Sequence, residues 1–332
     1  MVDLEPTEEQ ALIVESIDTL LHEALPVERL RESLNTGAAA ERRRWQDLVE
    51  VGLFGLGLST TEGGPGYGLA EEALAARTMG RYCVSPTVLA TMLAVHVAAS
   101  CGRADLREAF QSGHSRAAFA NPLDNEGTAH LLDAGDCDWL LVLDEPIRLA
   151  ARETPGAASE VCGLDETVRL ERSTLDRQKS FSADLGERVS LLLAAYLVGN
   201  AQATLAMAVA YATTRQQFGQ PIGAFQAIKH SCADMAVRAA AAQAQTLFAT
   251  VTAEAACSPS DRVRRTSDVA CARLLARQAA VANAKANIQI HGAMGFTAEC
   301  DAHLFLKRAL TLGALGADTL TERTQILQKT PD

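Results

Sequence analysis

Four stretches in the second half of the chain carry apolar residues at helical spacing, and alanine dominates them. They run over residues 189–214, 224–256, 263–286 and 298–312. Apolar side chains that recur every three or four residues predict helices with a buried face. Because alanine is small, helices of this composition can approach one another closely, as they do in a four-helix bundle. The pattern therefore predicts a C-terminal helical bundle.

The connection between the first two of these helices is rich in groups that bind nucleotides. The segment Tyr211-Ala-Thr-Thr-Arg-Gln-Gln-Phe-Gly-Gln-Pro-Ile-Gly-Ala-Phe-Gln226 places Arg215, Gln217 and Phe218 at a tight turn. A planar guanidinium contacts phosphate oxygens in pairs, and a ring beside it covers an aromatic face. Taken singly, Arg215 fits the cap of a helix C-terminus, and Phe218 fits an ordinary core position. Together they predict a site for a nucleotide cofactor.

A second segment, Gln289-Ile-His-Gly-Ala-Met-Gly-Phe296, follows the third helical stretch. With the first segment it resembles the C-terminal signature of the acyl-CoA dehydrogenase family, FAD enzymes that desaturate acyl thioesters. The family positions that hold FAD correspond here to Arg215, Gln217, Phe218, Ile222, Phe225, Gln289 and Gly292. A glycine lets backbone amides approach a pyrophosphate closely. Since the first three residues serve a neighbouring subunit's flavin in the family, the resemblance also implies an oligomer.

The rest of the chain completes the same architecture. Residues 1–114 are predicted to form helices joined by a glycine-rich connection, as in the N-terminal domain of the family. Residues 115–183 suit a small, shortened β domain, in which Trp139–Leu143 is a buried strand and Val168–Arg172 alternates as an exposed strand does. Residues 184–332 hold the bundle, with the FAD and oligomer contacts. We therefore expect a mainly α fold with a small β domain, like that of the acyl-CoA dehydrogenases.

The middle domain departs from the family pattern at the flavin ring. The resemblance implies a Thr/Ser-Glu-Pro-Gly-x-Gly-Ser loop, but only Asn121 and Pro122 line up with it. Ala120 stands where a hydroxyl residue is expected. This departure removes side chains that the family places near the isoalloxazine.

The residue that accepts the substrate α-proton has three candidate sources. A carboxylate suits the task because partial desolvation raises the pKa of a glutamate toward the working pH. In most relatives the base follows the last helix, where ungapped alignment places Gly316, and Asp318 is displaced from that position by two residues. Other relatives carry the base at the start of the first bundle helix, near Glu187. Glu187 also fits a capping box with Asp184. Glu187, Asp318 and a residue of a partner subunit are thus the alternatives.

Charge and composition exclude several classes of function. The 332 residues carry a net charge of −11, which argues against nucleic acid as a partner. No apolar run is long enough for a membrane span, since Leu191–Val198 stops at Gly199. The N-terminus lacks the basic and apolar regions of a secretory signal. The eight cysteines show no metal-ligand spacing with the seven histidines, so we expect reduced thiols in a cytoplasm and no metal site.

The histidines offer no further catalytic motif. His291 lies inside the second cofactor segment and is expected to pack beside the nucleotide. His230 is expected at a solvated or interface position. His96 and His114 are isolated in the sequence and are not expected to be ligands.

Two segments, Phe225–His230 and His303–Ala309, resemble a subset of the family associated with bacterial degradation of steroid side chains, whose members work as heteromers. The resemblance implies an FAD-dependent acyl-CoA dehydrogenase subunit that desaturates the α–β bond of an acyl-CoA, with a steroid or another bulky acyl chain. The resemblance further implies that the subunit acts in a heterotetramer with a sister subunit, or as a homo-oligomer, and passes electrons to an electron-transfer flavoprotein. The short middle domain and Gly316 equally fit a catalytically silent subunit that completes the FAD site of a sister dehydrogenase.

Overall fold

Helices precede and follow a β-sheet along the chain. The computed structural model describes residues 4–32, 34, 37–124, 127–152, 158–175, 180–254, 259–316 and 319–327. The helices in this part of the chain are α1 (Glu8–Ala24), α2 (Arg29–Glu32), α3 (Ala39–Arg43), α4 (Trp45–Glu50), α5 (Leu69–Arg81), α6 (Pro86–Ser100), α7 (Ala104–Gln111), α8 (Gly186–Thr214), α9 (Gln226–Glu254), α10 (Pro259–His291), α11 (Ala302–Gly313) and α12 (Thr319–Leu327). Short 3₁₀ turns lie at Leu53–Gly55, Thr60–Glu62, Ala134–Asp136, Ile222–Ala224 and Gly292–Phe296.

The β region forms one seven-stranded sheet, and a two-stranded hairpin lies farther along the chain. The strands are β1 (Ala117–Pro122), β2 (Thr128–Leu132), β3 (Trp139–Val142), β4 (Ile147–Ala151), β5 (Ser159–Val161), β6 (Leu170–Thr174), β7 (Ser180–Ala183), β8 (Gln216–Gln217) and β9 (Gln220–Pro221). The order across the sheet is β5-β6-β2-β1-β3-β4-β7. Only β1 and β3 run parallel among the described pairs, with Phe119 opposite Leu141.

Both strands predicted from the sequence are present. The apolar run at Trp139 forms β3, and its last three residues are buried. The alternating run forms β6, which begins two residues later than predicted, at Leu170. The mainly α fold with a small β region is therefore confirmed.

Helix α6 is buried along almost its whole length. Ser85 occupies the N-cap, where its hydroxyl oxygen accepts a hydrogen bond from the backbone N–H of Thr87 (3.3 Å). Pro86 takes the first helical position, where a missing N–H costs nothing. Residues 86–98 are all buried. An apolar helix without a polar face belongs in the core of its domain.

The chain divides into two compact units. One comprises Met1–Ala11, Ala76–Cys83 and Ser190–Asp332, and it contains the bundle helices. The other comprises Leu12–Ala75 and Val84–Val189, and it contains the sheet together with α6 and α7. Helices α5 and α8 each contribute residues to both units.

Glycines bring the backbones of α5 and α8 into contact within the bundle unit. A Cβ atom at Gly80 would overlap the backbone carbonyl of Tyr196, and one at Gly199 would overlap the carbonyl of Arg77. The two contacts are reciprocal, with one glycine on each helix. Only glycine allows this approach, because every other residue carries a Cβ atom.

Buried polar side chains tie the bundle helices together. Arg308 on α11 is fully buried and donates hydrogen bonds to the Cys83 carbonyl (2.7 Å) and the Tyr196 hydroxyl (3.0 Å). Asn283 on α10 donates to the carbonyls of Ala201 on α8 (3.2 Å) and Met235 on α9 (3.0 Å). Since an unpaired buried polar group costs about 1–3 kcal/mol in a protein, these bonds fix where the helices cross.

Helix α8 is long and apolar enough to cross a membrane when judged by length and composition alone. Of its most apolar 18-residue window, 67% is buried within the protein. This burial accounts for the composition, because the core helix of a bundle meets the same criteria. The sequence pattern predicted that this apolar stretch stops at Gly199, but the helix continues beyond it. Asn200 is buried within the helix, and its side chain donates a hydrogen bond to the Phe305 carbonyl (3.2 Å).

Replacing Gly199 with alanine tests the contact between α5 and α8. The added methyl group would overlap the Arg77 carbonyl, so Gly199→Ala is expected to lower the free energy of unfolding by about 1–3 kcal/mol. Gly186→Ala in the same helix is the control, because a Cβ there meets no atom within 4 Å. Urea unfolding measures both. Equal stability of the two variants would contradict the close contact.

Candidate functional site

A tight hairpin connects α8 to α9 and carries the first predicted cofactor segment. Gln217 pairs with Gln220, so Phe218 and Gly219 form the two-residue turn. Their φ angles are 52° and 77°. A two-residue hairpin turn with positive φ at both positions favours asparagine and glycine. The backbone N–H of Ile222 donates to the Arg215 carbonyl (2.8 Å), which closes the base of the hairpin.

Phe218 stands out of the hairpin into solvent. Its side chain is 91% exposed, and its ring meets that of Phe225 edge-on, with 6.0 Å between centroids. The alternative that Phe218 is an ordinary core residue is therefore wrong. Phe218 lowers stability in two ways: its large apolar ring is exposed to solvent, and its backbone is strained by the left-handed conformation. Strain of this kind is typical of binding sites.

The second cofactor segment lies beside the base of the hairpin. Helix α10 ends at His291, which donates a hydrogen bond from Nδ1 to the Asn287 carbonyl (2.9 Å). The His291 ring stacks on Tyr211, with 4.2 Å between centroids and 22° between planes. This stack joins the end of α8 to the end of α10. The structure thus brings the two segments together, and His291 is a packed residue as predicted.

Gln289 and Gly292 are exposed at this end of α10. Gly292 has a φ of 63°, and a Cβ there would meet no atom within 4 Å. Its glycine is therefore required by backbone conformation and not by packing within this chain.

Ile222 and Phe225 support the hairpin from beneath. Both are half-buried, and Ile222 packs on a small apolar cluster that includes Ala212, Met235 and Ile290. The cluster draws on α8, α9 and α10, so it fixes the hairpin to the bundle.

The electrostatics at the hairpin suit an anionic ligand. Arg215 is exposed, and within the described part of the chain its guanidinium makes no ion pair or hydrogen bond. Gln217 beside it is exposed as well. A free guanidinium in a chain of net charge −11 offers a bidentate site for phosphate oxygens. The residues present therefore fit the pyrophosphate and an aromatic face of FAD.

Glu187 is the second residue of α8 and is half-buried. The helix begins at Gly186, so Leu185, and not Asp184, precedes it. The Val189 amide donates to the Leu185 carbonyl (2.9 Å) and closes the first turn. A carboxylate in a first helical turn is stabilised by the helix dipole.

Gly316 follows α11 and has a φ of 75°. An L side chain is strained in this conformation, so the position aligned with the usual base suits glycine and not glutamate. Asp318, the other candidate, lies outside the described residues.

In the β region, Ala120 is buried on β1 opposite Val142, and Asn121 and Pro122 end that strand.

His96, which is isolated in the sequence, has partners in the structure. Its Nε2 lies 2.5 Å from Oε1 of Glu72 on α5, and Glu72 also accepts from Arg188 on α8. This cluster was not predicted from the sequence, because its three residues are far apart in the chain and each lies on a different helix.

His114 is exposed and bonds only to Ser112 among the described contacts. No group of three potential metal ligands occurs in the described residues.

The fold matches solved structures over nearly the whole of both chains. A chain of the ChsE4-ChsE5 complex from Mycobacterium tuberculosis matches with a TM-score of 0.82 at 21% identity, covering 100% of both chains. The Tcur3481-Tcur3483 steroid ACAD matches at 0.81 and 20% identity, over 97% of each chain. PigA, solved with FAD and proline, matches at 0.81 and 19% identity, over 99% of each. These likenesses show the fold, a helical scaffold that includes a small β-sheet.

Two family models match the chain itself. The N-terminal domain of acyl-CoA dehydrogenase matches residues 7–115, and the C-terminal domain matches residues 186–327. Acyl-CoA dehydrogenase IpdE2 of Mycobacterium tuberculosis is 32% identical over 307 residues, 92% of each protein. The chain belongs to the acyl-CoA dehydrogenase family. This confirms the resemblance found in the sequence, and the predicted cofactor, FAD, agrees with it.

Phe218→Gly tests whether the hairpin is strained. Glycine adopts a left-handed conformation without penalty. The free energy of unfolding of Phe218→Gly is therefore expected to be about 1 kcal/mol higher than that of the wild type. Phe218→Leu is the control, because it keeps the Cβ atom and so keeps the strain. Urea unfolding of the two variants gives the comparison. Equal stabilities would refute the strain.

Proposed function

We propose that this chain is a subunit of an FAD-dependent acyl-CoA dehydrogenase that desaturates the α–β bond of an acyl-CoA thioester. The observation that carries the proposal is the stack of Tyr211 on His291, which joins both cofactor segments at an exposed, cationic hairpin. Family membership supplies the reaction class.

Arg215, Gln217 and Phe218 would hold FAD from the hairpin, and Gln289 and Gly292 would hold it from the end of α10. FAD, when bound, supplies the hydride acceptor for the β-hydrogen. Arg215 binds phosphate oxygens, and the exposed Phe218 ring covers an aromatic face and excludes water. Ile222 and Phe225 keep the hairpin in place from beneath.

Glu187 would accept the α-proton. Glu187 is half-buried in the first turn of α8, and a general base must lie within hydrogen-bond reach of the proton it abstracts. The thioester carbonyl needs hydrogen-bond donors as negative charge develops on its oxygen. Backbone amides are suited to that role.

The active form is proposed to be an oligomer with a sister subunit. The cofactor segments themselves carry large exposed apolar side chains, namely Phe218 (91% exposed), Met294 (49%) and Phe296 (75%). Large apolar groups grouped at a surface mark interaction sites. Two structural neighbours, ChsE4-ChsE5 and Tcur3481-Tcur3483, are each named as a pair of different chains, which supports a heteromer.

The proposed substrate is a bulky acyl-CoA, and the acyl chain that we favour is a steroid. The support is the description of the Tcur3481-Tcur3483 neighbour as a steroid enzyme, together with the sequence resemblance noted above. An electron-transfer flavoprotein is the proposed electron acceptor, and the cytoplasm is the proposed location.

A second function is favoured by the backbone at Gly316. With φ at 75°, the position of the usual base is unsuited to glutamate, and Ala120 lacks the hydroxyl expected near the flavin. These features fit a silent subunit that completes a sister's FAD site. Purifying the chain alone and with a co-expressed sister separates the two. A yellow protein that reduces a dye with acyl-CoA on its own supports the enzyme.

Arg215→Gln tests the cofactor site. The variant loses a charged, bidentate contact worth about 1.5–3 kcal/mol, so FAD affinity of the assembly is expected to fall about 10- to 100-fold. Flavin absorbance per chain and titration of the stripped protein with FAD measure the change. Arg172→Gln removes another exposed arginine, from β6, and should leave the affinity unchanged. Full flavin retention in Arg215→Gln would refute the assignment.

Glu187→Gln tests the base. Loss of a positioned general base is expected to reduce kcat by roughly 10²- to 10⁴-fold, with flavin content unchanged. Dye reduction with butyryl-CoA, octanoyl-CoA and cholyl-CoA measures turnover. Asp184→Asn, three residues earlier and exposed, is the matched control. Unchanged turnover in Glu187→Gln would clear this residue of the role and leave Asp318 or a partner residue.

A further inference from the structure

A buried carboxylate joins three helices beside the candidate base. Glu72 on α5 is 1% exposed. Its Oε1 lies 2.5 Å from Nε2 of His96 on α6, and its Oε2 accepts from Nη1 of Arg188 on α8. A Cβ at Gly57 would run into this carboxylate, so the glycine makes room for it. All four residues belong to the unit that contains the sheet.

Glu72 is ionised in this setting. Burial by itself raises the pKa of the Glu72 carboxyl, but the charges and hydrogen bonds of His96 and Arg188 outweigh burial and lower it below its usual value. An ionised carboxylate only accepts hydrogen bonds, so Nε2 of His96 carries a hydrogen and donates it. Arg188 places a positive charge beside the Glu72 carboxylate, and the Arg188 side chain is 21% exposed.

These contacts set the rotation of the first turn of α8. Successive residues of an α-helix point about 100° apart, since a turn holds 3.6 residues. Arg188 is held by Glu72, and Val189 is 3% exposed in the core. The directions of two adjacent side chains, those of Arg188 and Val189, are thus fixed. Gly186, at the start of the helix, has no side chain to anchor it.

The direction of Glu187 follows from these two anchors. Glu187 immediately precedes Arg188, so its side chain points about 100° around the helix axis from the direction of Arg188. If Arg188 were released, the first turn could rotate or fray, because helix ends are held by few internal bonds. A carboxylate that must meet one particular proton is sensitive to such a change.

We propose that Arg188 and Glu72 are positioning residues for Glu187, holding the first turn of α8 so that the carboxylate of Glu187 faces the substrate α-carbon. The inference rests on the proposed function, in which Glu187 accepts the proton. It adds a reason for the buried ion pair: the pair orients a neighbouring residue and does not itself contact substrate.

The test uses the flavin-loaded assembly, with whichever of butyryl-CoA, octanoyl-CoA and cholyl-CoA the wild type oxidises fastest. Arg188→Met is expected to lower kcat by about 10- to 100-fold, since a misplacement of about 1 Å costs a factor of that size. KM should stay within about twofold, because Arg188 does not bind substrate. Arg188→Lys keeps the charge and one donor, and should recover most of kcat.

Amide hydrogen exchange of the flavin-free chain gives a readout that does not depend on turnover. Amides of residues 189–191 should exchange faster in Arg188→Met than in the wild type, and Arg188→Lys should restore protection. Arg43→Met, which changes an exposed arginine of the same unit, should alter neither exchange nor kcat.

The outcomes separate this inference from the proposed function. If Glu187→Gln stops turnover while Arg188→Met keeps full kcat, the positioning role is overturned and the base assignment stands. If Glu187→Gln has no effect, the base assignment falls, and the positioning role falls with it. A rise in KM at constant kcat, or a loss of flavin from Arg188→Met with no rescue by lysine, would also overturn the positioning role.

Discussion

The backbone contact between α5 and α8 is the constraint on which the bundle depends. Gly80 and Gly199 face the carbonyls of Tyr196 and Arg77, and neither position has room for a Cβ atom. Because the two helices touch at their backbones, no side chain can adjust for an error in their spacing. The buried Arg308 adds direction, since its guanidinium reaches both Cys83 and Tyr196 near the same contact.

Small residues and buried polar groups act together in this protein. Alanine and glycine bring the helices close, but they provide little to distinguish one helix register from another. Asn283 supplies that distinction, because its amide satisfies carbonyls on α8 and α9 at once. A slip of one residue would leave those groups unpaired in the core, at a cost of about 1–3 kcal/mol each. The bundle therefore presents its hairpin and the end of α10 in one fixed arrangement.

Much of the site could be predicted because its chemistry lies in short, contiguous segments. Arg215, Gln217 and Phe218 are close in sequence, and a hairpin keeps such residues close in space. The strain at Phe218 could not be predicted, since it arises from the pairing of Gln217 with Gln220 across a two-residue turn. The Glu72–His96 pair was missed for the opposite reason: 24 residues separate its members, and neither shows a recognisable spacing.

The sequence by itself determined the helical bundle, the two cofactor segments and membership of the acyl-CoA dehydrogenase family, because periodicity and local motifs are properties of neighbouring residues. Tertiary structure alone decided that Tyr211 meets His291, that Gly316 has a left-handed backbone and that Arg188 is paired with a buried carboxylate. Each of these depends on the packing of helices that are distant in the chain or on a backbone angle set by that packing. Such contacts are fixed only when the core closes and desolvates the groups that must find partners.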